Sequence, residues 1–170
     1  RKKIIKIKTM KTTREEAKEN IHDNLVDNLQ GLLEKNYDAE KGFKKAVENA
    51  KNGQLKEFLK HQAVKHNRFA TELDQEIRNL NEKPKESGST TGSLHRTWID
   101  VKTAFTGNDD EAVLEECIRG EKASLEEYEE KLKDNRFPPQ INSVLNNQLN
   151  EIRSTVSKVK SLEDLADNWS

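Results

Sequence analysis

Four stretches of this chain repeat apolar residues at steps of three and four, the spacing that lines one face of a helix. Only three Pro and seven Gly occur among 170 residues. The two strongest helix breakers are therefore scarce. The first stretch runs from about Arg14 to Ala50, with Leu25, Leu29, Leu32, Phe43, Val47 and Ala50 on its stripe. Asn52-Gly53 stops it. The second runs from about Gln54 to Asn81 through Leu55, Leu59, Phe69, Leu73, Ile77 and Leu80, and Lys83-Pro84 ends it. The third, about Asp110 to Lys133, turns Leu114, Cys117, Leu125, Tyr128 and Leu132 inward. After the stiff turn Phe137-Pro138-Pro139, the fourth runs from about Gln140 to Leu165 through Ile141, Leu145, Ile152, Val156, Val159 and Leu162. The one strand-like run, Ile4-Ile5-Lys6-Ile7-Lys8, lies at the N-terminus.

The seams are narrow. Charged residues make up 36% of the chain and hydrophobic ones 32%, against a usual ~45–50% apolar. Leu, Ile, Val and Phe number 38 of 170, just above the ~20% below which a chain cannot form a core. With a net charge of −1 the reading is a thin-cored fold, not a disordered chain. Collagen, disulfide scaffolds and membrane spans are excluded by the same composition. Helices one and two are joined by about three residues, and helices three and four by a short Pro turn, so each pair forms an antiparallel hairpin. The middle connection, Glu82 to Asp109, spans 28 residues, where bundle connections need ~2–8. That length points to a crossover that makes helices two and three parallel; two fused αα-hairpins without a crossover are the alternative. The expected fold is thus all-α, a ferritin-like four-helix bundle with a long crossover connection. The crossover carries the Gly/Ser/Thr-rich loop KPKESGSTTGS and a short extra helix, Leu94 to about Phe105, with His95 and Trp98.

The first nine residues contain five Lys/Arg and no acid. Without them 25 basic residues face 31 acidic ones. We read residues 1–13 as a basic segment, disordered or upstream of a natural start at Met10, and residues 14–170 as one domain. The basic segment has no apolar run of signal-peptide length, and five charges without an aromatic support no specific nucleic-acid contact. Cys117 is alone, so no intrachain disulfide forms, and a reducing cytoplasm is the simplest setting.

The informative residues interrupt the stripes. Asn36 and Glu40 in helix one, Gln62 and His66 in helix two, Glu121 in helix three and Gln148 in helix four all fall on seam positions. Counting turns at ~1.5 Å per residue puts Glu40, Gln62, His66 and Glu121 in one layer, with Gln148 lower, near Tyr128. Two carboxylates, an imidazole and an amide could hold iron, manganese or zinc. They could equally form a hydrogen-bonded layer that fixes helix register. No phosphate loop, nucleophile elbow or paired-Cys motif is present.

The stretches NYDAEKGFKKA, FATELDQEI, GSTTGSLHRTWIDVK and LEECIRGEKASLEEYEEKL resemble an uncharacterised bacterial family, a domain of unknown function. Its members are described as four-helix-bundle proteins of the ferritin-like superfamily. The resemblance spans roughly residues 24–164 and implies the fold but no activity. The wider superfamily binds two metals through single Glu residues and paired Glu-x-x-His motifs. This chain departs from that pattern. Its one Glu-x-x-His is Glu19/His22, at the start of helix one, and helix four contains no His. Glu40 and Glu121 match the single-Glu positions and His66 is a stand-in from helix two.

Two readings follow. One is a noncatalytic bundle of stress or housekeeping type with a structural polar layer. The other is a metal-binding oxidase or carrier using Glu40, His66 and Glu121. Ile21, Val26 and Leu33 lie beyond the strict stripe and suggest a homo-oligomer.

Overall fold

A computed structural model describes residues 12–88 and 109–166. The expectations for the basic N-terminus and for the connecting helix with His95 and Trp98 lie outside these residues. Among the described residues the chain is all helical, with four helices and no strand. They are α1 (Thr13–Asn49), α2 (Gly53–Asn79), α3 (Asp110–Asp134) and α4 (Pro139–Lys158), followed by a 3-10 turn, Leu162–Ala166.

Local chemistry sets the ends. Thr12 caps α1, its hydroxyl accepting from Glu15 N at 3.1 Å, with Glu15 and Glu16 in the first turn where acids favour the helix dipole. Asn52 caps α2 by accepting from Leu55 N, and Asp109 caps α3 by accepting from Glu111 N. Pro139 opens α4, where a missing N–H costs nothing. Helix α2 stops before the expected Lys83-Pro84. Asn81 takes a left-handed conformation (φ 61°), and Asn81 N and Glu82 N donate back to Arg78 O and Ile77 O. Asn tolerates that region better than most residues.

The helix directions follow from contacts at known heights. Asp110, at the start of α3, accepts from Lys51 N at 2.9 Å and Asn52 N at 2.8 Å, in the α1–α2 turn. Asn135, at the far end, meets Asn24 and Asn28 on α1. So α3 runs against α1 and in the same sense as α2. Arg68 pairs with Glu151, and Lys65 bonds Thr155, so α4 runs against α2. After α2 the chain climbs along α1. Glu82 meets His22, Lys83 O and Lys85 N bond the Gln30 amide, and Lys85 pairs with Glu34. Gly88 then packs so close to Asp38 that a Cβ there would strike its carboxylate.

The core falls into two apolar clusters, one above the other. The upper holds Phe43, Leu55, Phe58, Leu59, Val113, Leu114 and Leu165. The lower holds Leu29, Leu32, Leu33, Phe69, Leu73, Ile77, Ile141, Leu145 and Ile152. Of the three residues expected at an oligomer face, Leu33 is buried in this lower cluster. Val26 is half-buried, and Ile21 alone is widely exposed, at 70%. Helix α4 also ends earlier than its stripe suggests. Val159 leaves the helical region (φ −114°, ψ 107°), and Asp164 accepts from Lys160 N and Ser161 N. This break lets the chain fold back, so that Leu165 closes the upper cluster. A straight helix would have carried Leu162 and Leu165 past the end of the bundle.

Candidate functional site

Between the two apolar clusters lies a layer of buried polar side chains drawn from all four helices. His66 is its hub. The ring is fully enclosed, stacked on Phe43 (centroids 5.6 Å, interplanar angle 17°) and edge-on to Phe69 at 5.5 Å. Nδ1 lies 2.7 Å from Asn36 Oδ1, and Nε2 lies 2.7 Å from Glu121 Oε1. The second oxygen of Glu121 accepts from Lys65 Nζ at 2.6 Å, and Lys65 also donates to Thr155 Oγ1 at 3.0 Å. Lys65 reaches in from the edge. Its stem packs along the bundle and its side chain stays only 10% exposed.

The network continues away from His66. Asn36 Nδ2 donates to Leu32 O and to Tyr128 OH, each at 2.8 Å. Tyr128 OH donates to Gln148 Oε1 at 2.6 Å, and Gln148 Nε2 donates to Glu72 Oε1 at 2.9 Å. Proton positions follow from this chain. A backbone carbonyl only accepts, so the bond to Leu32 O fixes the Asn36 amide with its oxygen toward His66. His66 Nδ1 must then carry a hydrogen. Glu121 is fully buried, and burial alone would raise its pKa. The charges of His66 and Lys65, and their hydrogen bonds, overcome that and hold it at about 2. Glu121 is therefore a carboxylate at neutral pH, and His66 Nε2 donates to it as well.

Three of the four expected metal ligands are buried here, but they do not converge as a donor set. His66 and Glu121 meet directly. Gln62 is buried one turn before His66 on α2, and its Oε1 has no hydrogen-bond partner. Glu40 lies elsewhere. It is half-buried at the outer edge of the α1–α2 seam, paired with Lys44 at 2.8 Å and accepting from Asn67. Turn counting gave its height but not its direction: Ala39, one residue earlier, takes the inward position of that turn. Among the described residues no group of three or more His, Cys, Asp and Glu is placed to hold a metal. An ammonium also occupies the Glu121 oxygen that a cation would need.

Lys65, Thr155 and Glu72 escaped the sequence reading, since each sits beside a stripe. One signal was available for Lys65: a buried carboxylate on α3 demanded a cation at its height, and Lys65 is adjacent to His66. His61 is exposed. Cys117 is buried, and burial pushes its thiol well above the usual range. A cavity of about 220 Å³ opens between α1 and α3, lined by Lys35, Asn36, Ser124, Glu127 and Tyr128. It touches the network but falls below the ~300–1,000 Å³ of ordinary ligand sites.

Residues 24–134 match the family model of a domain of unknown function, DUF2383. No curated protein matches the chain. No helix among the described residues is long and apolar enough to cross a membrane.

Proposed function

The chain belongs to the DUF2383 family, and from that premise we propose a noncatalytic bundle of ferritin-like connectivity whose polar layer is structural. The layer fixes the register of the helices, and the outer faces do the protein's work. One observation carries this reading: the polar atoms of His66 and Glu121 are already engaged by protein groups. Lys65 supplies the positive charge that a metal would otherwise bring. The connectivity is supported by the common sense of α2 and α3 and by the path of residues 82–88 along α1.

The rival reading, a metal carrier or oxidase using Glu40, His66 and Glu121 with iron, manganese or zinc, draws on the unpartnered Gln62 Oε1. Elemental analysis and calorimetry after anaerobic loading with Fe(II), Mn(II) or Zn(II) separate the two. A structural layer predicts no stoichiometric metal and no rise in Tm. One ion per chain that raises Tm, both effects lost in Glu121→Ala, would replace the structural reading with the metal one.

A further inference from the structure

The outer face of α3 carries a charged stripe that takes no part in the buried layer. Glu115, Arg119, Lys122, Glu126, Glu129 and Lys133 follow one another at steps of 4, 3, 4, 3 and 4. That spacing keeps them in line along a helix. Arg119 is half-buried and touches Glu116 on its own helix, while the other five are exposed. Those five form no ion pair with another described residue, although Lys122–Glu126 and Glu129–Lys133 are each one turn apart.

The order of signs is not arbitrary. About Ser124 as centre, the residues two positions away are Lys122 and Glu126, those five away are Arg119 and Glu129, and those nine away are Glu115 and Lys133. Every such pair is of opposite sign. Two α3 helices laid antiparallel across a twofold axis at Ser124 would therefore set Lys122 against Glu126, Arg119 against Glu129, and Glu115 against Lys133. Each pair would occur twice. A parallel arrangement would stack like on like. The axis crosses α3 at the height of Ser124, whose own side chain turns away from the stripe into the cavity between α1 and α3. Beside the stripe, an open groove between α3 and α4 exposes part of Val156 next to Ile118 and offers a floor for side-chain stems.

We propose that this face of α3 is a homodimer surface, self-complementary in charge, on which a second copy of the chain docks antiparallel about Ser124. Such an interface is isologous. Its charges set partner and register more than tightness, so the dimer is weak and sensitive to salt.

Sedimentation equilibrium on the full chain tests this. At about 100 µM and low ionic strength a monomer–dimer equilibrium is expected, weakened about tenfold or more at 0.5 M NaCl as screening shortens the reach of the pairs. Lys122→Glu alone and Glu126→Lys alone each place like charges opposite and give monomer. The double exchange Lys122→Glu/Glu126→Lys restores the pairing across the axis and restores the dimer. Circular dichroism confirms that all variants are folded. A parent chain that stays monomeric at low salt overturns the proposal. So does a dimer indifferent to the single reversals, or one that the double exchange fails to restore.

Discussion

Glu121 lies out of reach of water, between an imidazole and an ammonium, and its ionisation is part of the fold. Its folded pKa of about 2 lies below the ordinary 4.5. The stabilisation it gives is therefore present above the ordinary value and is lost as pH falls from about 4.5 toward 2. The shift corresponds to about 3 kcal/mol. Urea unfolding followed between pH 7 and pH 2.5 should show the midpoint falling through that window, and Glu121→Gln should flatten that fall. At pH 7 the same substitution keeps the shape but leaves Lys65 and His66 without their counter-charge, at a cost of about 3–5 kcal/mol. Tyr128→Phe is a milder probe. It leaves Asn36 Nδ2 and Gln148 Oε1 each short of a partner and should cost about 1–3 kcal/mol in the same assay. Sequence position revealed Asn36, Gln62, His66, Glu121 and Gln148, because polar residues on an apolar stripe stand out. It did not separate Asn36 from Glu40. They sit one turn apart on nearly the same side of α1, and packing leaves Asn36 and Ala39 in the core and Glu40 at the edge of the seam.

At the scale of the elements, helix ends were readable where a capping or breaking residue marks them, as Asn52, Asp109 and Pro139 do. The end of α4 has no such mark. Val156, Val159 and Leu162 continue the stripe unbroken in sequence, and the helix stops because Leu165 must turn back over the upper cluster. That is a tertiary demand, invisible to periodicity. It predicts that Leu165→Ala opens the lid at a cost of about 2–3 kcal/mol, toward the lower end for a large-to-small change because the site borders solvent. Guanidinium denaturation should register the loss while the helical circular dichroism stays constant. The segment after α2 makes a comparable demand at Gly88, whose missing Cβ lets the chain lie against buried Asp38. Gly88→Ala forces one of the two to move, and it should speed proteolysis of the segment while α1 and α2 remain folded.

For the whole molecule, the 28-residue connector already implied parallel α2 and α3, but the composition could not say why so thin a core holds one register. The stacking of the two clusters supplies the reason. A slip of any helix by one turn moves it about 5.4 Å. For the helix that carries Glu121, it would drive that carboxylate into Phe58 and Leu59 above, or Leu29 and Leu73 below, and leave polar groups unpaired among hydrocarbons. On the structural reading proposed above, the layer penalises wrong registers more than it stabilises the right one, since buried ion pairs repay little beyond their desolvation. Replacing its hub, with Asn36→Leu, Lys65→Met, His66→Leu and Glu121→Leu, separates the two effects. The denaturation midpoint should hold or rise, as it can when a buried polar cluster gives way to apolar side chains of similar volume. The amide spectrum should meanwhile broaden or double, as helices sample neighbouring registers that the parent forbids. A variant several kcal/mol weaker than the parent, with one sharp set of resonances, would show instead that the network stabilises the bundle outright and that register is set by the apolar packing.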